Sequence, residues 1–217
     1  MSRLFEFSGV KELEALETEL NPWVRSKSRI ICSLVEGERI LEVGCGIGTL
    51  TKSLSEQKRY RIVAIDSSQI CLKKAREKRL DVVYMQEDIC NPSNLLQYAS
   101  HFDSVVVSDV LEHIKDDQRA LRNINLLLKE DGAVVLTVPA FQMLYSNHDR
   151  KVGHLRRYSK REIVRKLSTA GYDVEICRYW NFLGLLGWIT ILKALKKKLL
   201  DVSSFLSSVS GIFQRWL

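Results

Sequence analysis

The sequence predicts an α/β fold, a doubly wound and mostly parallel sheet with helices on both faces, and three observations carry that prediction. Short apolar runs of strand length alternate with helical stretches from residue 39 to 138, the pattern of a parallel sheet whose crossovers are helices. The first apolar run ends in closely spaced glycines, which let a strand turn sharply into a helix beside a ligand. The second ends in an acid about 20 residues further on, where such sheets place a carboxylate against a ribose.

Taken in order, residues 10–36 read as helical: Leu13, Leu16 and Leu20 share one face, Asn21-Pro22 interrupts, and a helix resumes over 23–35. Strand one, 39–43, runs into Gly44-Cys45-Gly46-Ile47-Gly48, and a helix opens at Thr49. Strand two, 61–65, ends in Asp66, with Ser67 and Ser68 starting the next helix. Strand three, 82–85, leads to Gln86-Glu87-Asp88-Ile89, and strand four, 104–107, leads to Ser108-Asp109-Val110-Leu111-Glu112-His113-Ile114. An amphipathic helix over 116–129 turns Leu121, Ile124, Leu127 and Leu128 inward; Asp131-Gly132 then turns the chain into strand five, 133–138, which Pro139 ends. Residues 140–158 lack periodicity and are crowded with polar groups, and long irregular connections of this kind are usually functional or disordered. Ser159 and Glu162 form a capping box, the helix runs to Ala170, Gly171 stops it, and 172–179 reads as a sixth strand. Beyond Trp180 the apolar spacing is helical. The expected organisation is one domain over 1–180, with an N-terminal helical cover, and an amphipathic helical extension over 181–217.

At 217 residues the chain is large enough for one well-cored domain, and 46% hydrophobic with 27% charged residues is ordinary for a soluble protein. The cysteines at 32, 45, 71, 90 and 177 make no CxxC pair and no His-Cys spacing, which argues against a zinc site or a disulfide framework and for a reducing compartment. No apolar run approaches the roughly 18 residues of a membrane span, and the first residues lack a signal-peptide core. A cytoplasmic location is expected. The net charge of +7 invites a nucleic-acid partner. Its excess, however, sits in 193–198, 150–166 and the helical face 73–79, with no aromatic residues interleaved among arginines to stack bases.

The glycine register narrows the ligand. A dinucleotide fingerprint reads G-x-G-x-x-G and receives a pyrophosphate, whereas here Glu42 stands two residues before Gly44, and Gly46 and Gly48 follow at alternate positions. An acid there repels a pyrophosphate and suits a cation. With this spacing and the three later strand ends, the sequence resembles the class I S-adenosylmethionine-dependent methyltransferases, Rossmann-like proteins, over roughly residues 20–180. The resemblance implies S-adenosylmethionine as cofactor, held at Glu42, Gly44, Cys45, Gly46 and Gly48. It also implies Asp66 and Ser67 at the ribose, Asp88 at the adenine amine, Ile89 over the ring and Ser108 near the reaction centre. The family's sheet has seven strands, the last antiparallel and lying between the fifth and the sixth, and no seventh strand is evident here.

Methyl transfer from a sulfonium is an in-line displacement, so alignment is the protein's main task. An oxygen acceptor benefits from a base, and a histidine with its pKa near 6.5 suits that work; His113 and His154 are the candidates. Asp109, Glu112 and His113, at i, i+3 and i+4, are similar to the acid-acid-His cluster of ubiquinone-biosynthesis O-methyltransferases. That similarity implies a hard divalent ion as an alternative to the metal-free reading made here. In the polar connection, Arg156 and Arg157 can fork onto a carboxylate or phosphate, with His148, Asp149, His154 and Tyr158 completing an acceptor site. The alternative is an arginine pair salt-bridged to Asp149. The Asn/Asp-Pro-Pro-aromatic motif of amino-directed nucleic-acid enzymes is missing after strand four, as is a Cys near a Pro.

The expected activity is therefore methylation, oxygen-directed, of a small anionic or lipid-linked metabolite. Lys193, Lys196, Lys197 and Lys198 beside Trp188, Ile189 and Leu192 add an expected peripheral contact of 181–217 with the inner membrane face. Two other classes stay open: a catalytically silent cofactor-binding domain that docks a membrane or a protein, and an RNA methyltransferase with salt-sensitive binding.

Overall fold

The computed structural model describes residues 21–57 and 59–180. The expected helix over 10–20 and the extension 181–217 lie outside the described residues. Helix α1 (Pro22–Leu34) starts where Asn21 accepts a hydrogen bond from the Trp23 amide and Pro22 occupies the first turn, a position that has no helical amide partner to lose. It is followed by β1 (Arg39–Val43), α2 (Thr49–Ser55), β2 (Arg61–Asp66), α3 (Gln69–Glu77), β3 (Val83–Gln86), β4 (Phe102–Ser108), α4 (Asp117–Leu127) and β5 (Leu128–Thr137). Two short helices, α5 (Asn147–Lys151) and α6 (Lys160–Thr169), complete the order. The five strands pair in parallel as β3-β2-β1-β4-β5.

Alternation along the strands builds two cores. Leu41, Val43, Ile65, Val105 and Val107 point to one face and pack with Leu121, Ile124 and Leu127 of α4 and Ile163 and Leu167 of α6. Ile40, Ile62, Ala64 and Val106 point to the other, against Ile31 of α1, Leu54 of α2 and Leu72 of α3. Each fully buried aliphatic side chain contributes about 1.5–3 kcal/mol, and a one-residue slip of any strand would exchange its two faces. The doubly wound sheet with helices on both faces thus forms as expected.

Three details differ. Helix α4 stops at Leu127 and β5 begins at once. Between the pairs Phe102↔Leu128 and Ser104↔Ala133, β4 advances two residues while β5 advances five. The expected Asp131-Gly132 turn is therefore absorbed into an irregularity within the strand, where Lys129 pairs with Asp103. The connection 140–158 is partly ordered, holding a single 3₁₀ turn (Gln142–Leu144) and α5. Residues 172–179 form no strand: Tyr172, Val174 and Cys177 still pack on the α4/α6 core, but no strand among the described residues fills the place between this segment and β5, so it has no ladder to join. Gly171, at φ +93°, ends α6, and the Ser159 hydroxyl caps its start through the Glu162 amide.

Candidate active site

A cavity of about 1000 Å³ opens at the carboxyl ends of β1 and β4. These strands are neighbours whose chains leave in opposite directions, the crevice where α/β sheets bind ligands. Gly44, at φ +70°, lets the chain leave β1 with its own amide and that of Cys45 both donating to the Ile65 carbonyl, at 2.8 and 2.9 Å. A Cβ on Gly44 would lie 2.4 Å from Cγ2 of Val110, so any side chain there would displace the segment leaving β4. Gly48, at φ +84°, caps α2 and brings it against Ala75 of α3.

Asp66 ties this loop to the next helix: Oδ2 accepts from the Gly46 amide and Oδ1 from the Ser68 amide, each at 2.8 Å. Burial raises its pKa while these two bonds oppose the rise. Glu42 is 2% exposed, and its Oε2 has no hydrogen-bond partner among the described residues. Burial pushes its carboxyl up to about 8, and Asp66 adds to the rise. An unsatisfied buried acceptor costs about 1–3 kcal/mol, which a donor or cation in the cavity would relieve. Asp88 is exposed on the cavity wall, accepting from the Cys90 amide at 2.8 Å, and buried Ile89 lies beside it. Cys45, Ser67 and Ser108 also line the space; burial pushes the Cys45 thiol up, which keeps it an apolar wall. An orphaned acid, a glycine cradle and two further acids fit the cofactor that the resemblance implies. Gly48 alone of the expected cofactor residues is off the wall, serving helix packing.

At the other end, Asp109 has φ +54°. It forms an ion pair with Lys27 and accepts from the Thr137 hydroxyl at 3.1 Å, while Ser108 and Thr137 share a hydrogen bond of 3.1 Å. Glu112 is fully buried with neither carboxylate oxygen partnered within the described residues, and burial, then Asp109, push its pKa well up. Next to it, His154 Nε2 is 3.9 Å from Glu112 Oε1, and the rings of His113 and His154 meet edge to face at 4.8 Å. Burial, then His154, lower the pKa of His113, so its ring is neutral at pH 7. The cation-type set expected at Asp109, Glu112 and His113 is thereby redrawn. Asp109 is engaged by Lys27 and Thr137, and the groups that converge, one donor atom from each within 4.8 Å, are Glu112, His113 and His154.

The polar connection divides in two. His148 and His154 line the cavity. Asp149, Arg156, Arg157 and Tyr158 do not, which corrects their expected place at the acceptor. Arg157 forks onto the fully buried Asp149, Nε to Oδ1 at 2.8 Å and Nη2 to Oδ2 at 3.1 Å. Arg156 donates to Asp117 at 3.1 Å and to the Lys115 carbonyl at 3.0 Å. Tyr158, 1% exposed, donates to Asp117 at 2.8 Å, and Lys166 reaches the same carboxylate at 2.8 Å. A buried carboxylate is tolerable only when paired, and these cations are consumed in pairing. Sequence reasoning missed Lys27, although it lies one helical turn after Trp23 and Val24 and all three line the cavity. It also missed Thr137, for which the sequence carries no signal.

A family profile described as a methyltransferase domain matches residues 16–175. A ubiquinone biosynthesis O-methyltransferase of Coxiella burnetii is 29% identical over 102 residues, 45% of this chain and 42% of the relative. Its counterpart in Salmonella paratyphi A is 26% identical over 163 residues, 72% of this chain and 62% of the relative. The aligned part of the chain thus spans less than two thirds of these curated relatives. Among solved structures, the phosphoethanolamine N-methyltransferase 2 of Haemonchus contortus, in complex with S-adenosyl-L-methionine, superposes with a TM-score of 0.63 at 18% identity, covering 93% of this chain and 54% of that one. It speaks for the fold alone. With the family profile spanning well over half its length, the chain belongs to the class I S-adenosylmethionine-dependent methyltransferases.

Proposed function

We propose that this member of the class I methyltransferases moves a methyl group from S-adenosylmethionine to a hydroxyl of a small anionic or lipid-linked metabolite. The observation that carries the reading is one continuous cavity, lined from Glu42, whose Oε2 has no partner among the described residues, to the two histidines beside Glu112. The cofactor supplies an electrophilic methyl on a sulfonium. Glu42 holds its ammonium group, Asp66 the ribose hydroxyls, Asp88 the adenine amine, and Ile89 packs on the ring. At the far end an imidazole, from His113 or His154, takes the acceptor's proton. Lys115 and Arg119 on the same wall suit an acceptor that carries negative charge, and the O-methyltransferase names of the sequence relatives agree with transfer to oxygen. Incubating the full chain and S-adenosylmethionine with the small-molecule and lipid fractions of a cell extract is expected to release S-adenosylhomocysteine and leave the methyl on oxygen. Cofactor bound by calorimetry but no release above the blank from any fraction would overturn the reading in favour of a silent binding domain.

The catalytic unit proposed is 1–180, with 181–217 as an extension that touches anionic membranes and so reaches a lipid-linked acceptor. Support comes from the sequence: four lysines beside an apolar stripe, each worth about 1 kcal/mol near an anionic leaflet. No helix among the described residues is long and apolar enough to cross a membrane. Vesicles containing anionic lipid are expected to pellet the full chain and not a folded variant ending at Trp180; equal recovery of both would overturn the proposal.

A further inference from the structure

Five donors converge on one buried carboxylate behind the cavity wall. Asp149 is fully buried. Its Oδ2 accepts from the Ser146 amide at 2.8 Å, the Ser146 hydroxyl at 3.0 Å and Arg157 Nη2 at 3.1 Å. Its Oδ1 accepts from Arg157 Nε at 2.8 Å and faces His154 Nδ1 at 2.9 Å. Structural need alone does not call for the last of these contacts, because Arg157 already matches the charge of Asp149 in forked geometry. What the contact does is orient an imidazole. An ionised carboxylate only accepts, so when the His154 ring carries one proton that proton sits on Nδ1 and the lone pair sits on Nε2. That atom lies 3.9 Å from Glu112 Oε1, and both residues line the cavity.

We infer that Asp149, clamped by Arg157, is a positioning residue that presents His154 Nε2 to the cavity as the base for the acceptor hydroxyl. The inference rests on the reading above and chooses between its two histidines. In the step, the acceptor O–H bond breaks as its proton passes to Nε2, the acceptor oxygen forms a bond to the methyl carbon, and the sulfonium–methyl bond breaks with its electron pair remaining on sulfur. His154 becomes an imidazolium supported at Nδ1 by Asp149. For His113, whose Nδ1 faces the Gly153 carbonyl at 3.2 Å, burial and then the neighbouring His154 disfavour a charge on the ring. Arg157, forked onto Asp149, keeps that carboxylate ionised well below neutral pH. Base, orienting acid and orienting cation follow the general logic of an activated proton acceptor, in which a third group fixes the tautomer of the second.

The groups that face His154 are Asp149 from α5 and Glu112 and His113 from the turn after β4, with Arg157 bound to Asp149, so a test must isolate Asp149 among them. Nitrogen-detected NMR of the imidazoles in the full chain, loaded with S-adenosylhomocysteine, is expected to find the His154 proton on Nδ1. In Asp149→Asn the amide can present a donor to Nδ1 and the proton moves to Nε2; Asp149→Glu keeps it on Nδ1. A wild-type His154 protonated on Nε2 would overturn the inference whatever the enzyme does. In the extract assay, Asp149→Asn and His154→Gln are expected to lower kcat by roughly 10²–10⁴-fold with cofactor KM unchanged and with S-adenosylhomocysteine still bound, while Asp149→Glu recovers part of the loss. Wild-type turnover in both deficient variants would overturn the role of His154 and leave the methyltransferase reading standing. Absence of turnover in the wild type would remove that reading, and with it the catalytic role, while the NMR result still decides the orientation.

Discussion

Two buried carboxylates at opposite ends of one site meet opposite fates. Glu42, at the end of β1, has an unpartnered oxygen and a carboxyl pushed up to about 8 by burial. Asp149, on α5, is as deeply buried, yet it collects an arginine, a histidine, a hydroxyl and an amide, and is held down at about 2 against the cost of burial. Burial therefore does not by itself decide the state of an acid. The donors that the fold brings to it do. An acid left short of donors is a place for a ligand, whereas one saturated with them is part of the scaffold and acts through what it orients.

The largest effect expected is at the saturated end. Arg157→Ala removes the partner of a fully buried carboxylate and should cost about 3–5 kcal/mol of stability, read from urea denaturation. A variant as stable as the wild type with only the acceptor KM raised would return Arg157 to the acceptor site and break the comparison. At the open end, Asp66→Ala should weaken S-adenosylmethionine binding by about 1.5–3 kcal/mol, measured by calorimetry, since it loses a ligand acceptor together with the anchors of Gly46 and Ser68. Unchanged affinity would remove Asp66 from the cofactor. The last effect is one of pH, gradual per unit and spread over a wide window. The folded-state pKa of Glu42 lies above the ordinary 4.5, so its contribution to stability is fully present below about pH 4.5 and is lost as the pH rises through about 8. Relative to Glu42→Gln, the ligand-free wild type should lose stability across that window at no more than about 1.4 kcal/mol per pH unit. A flat difference would mean that Glu42 has a partner in solution. Asp149 has the opposite sign: its depressed pKa contributes stability above about pH 3.8 that is lost as the pH falls towards 2.

The cofactor end was the more legible because its parts are local. The loop Gly44-Cys45-Gly46 and the acids Glu42 and Asp66 are set by strand ends, and a strand end fixes where a side chain points within one or two residues. His113 and His154 are 41 positions apart, and their meeting depends on α5 and on the Leu155 amide reaching the Glu112 carbonyl at 2.7 Å, contacts that no spacing announces. The reading of 172–179 failed for a related reason. Alternation describes a surface with one buried face, but a strand also needs a neighbour, and no strand among the described residues lies there to provide one.

What the sequence by itself determined is the order of the first five strands and the helices between them, the two faces of the sheet and the residues of the glycine loop. These follow from periodicity, from caps such as Asn21 and Ser68, and from backbone angles that glycine readily adopts. Tertiary structure alone decided which ionic groups serve the cavity and which serve the fold. Arg156, Arg157 and Tyr158 look alike to a reader of residue types. Desolvation requires every buried charge to be matched, and only the three-dimensional packing shows that Asp117 and Asp149 had claimed them, while His154, Glu42 and Glu112 line the cavity.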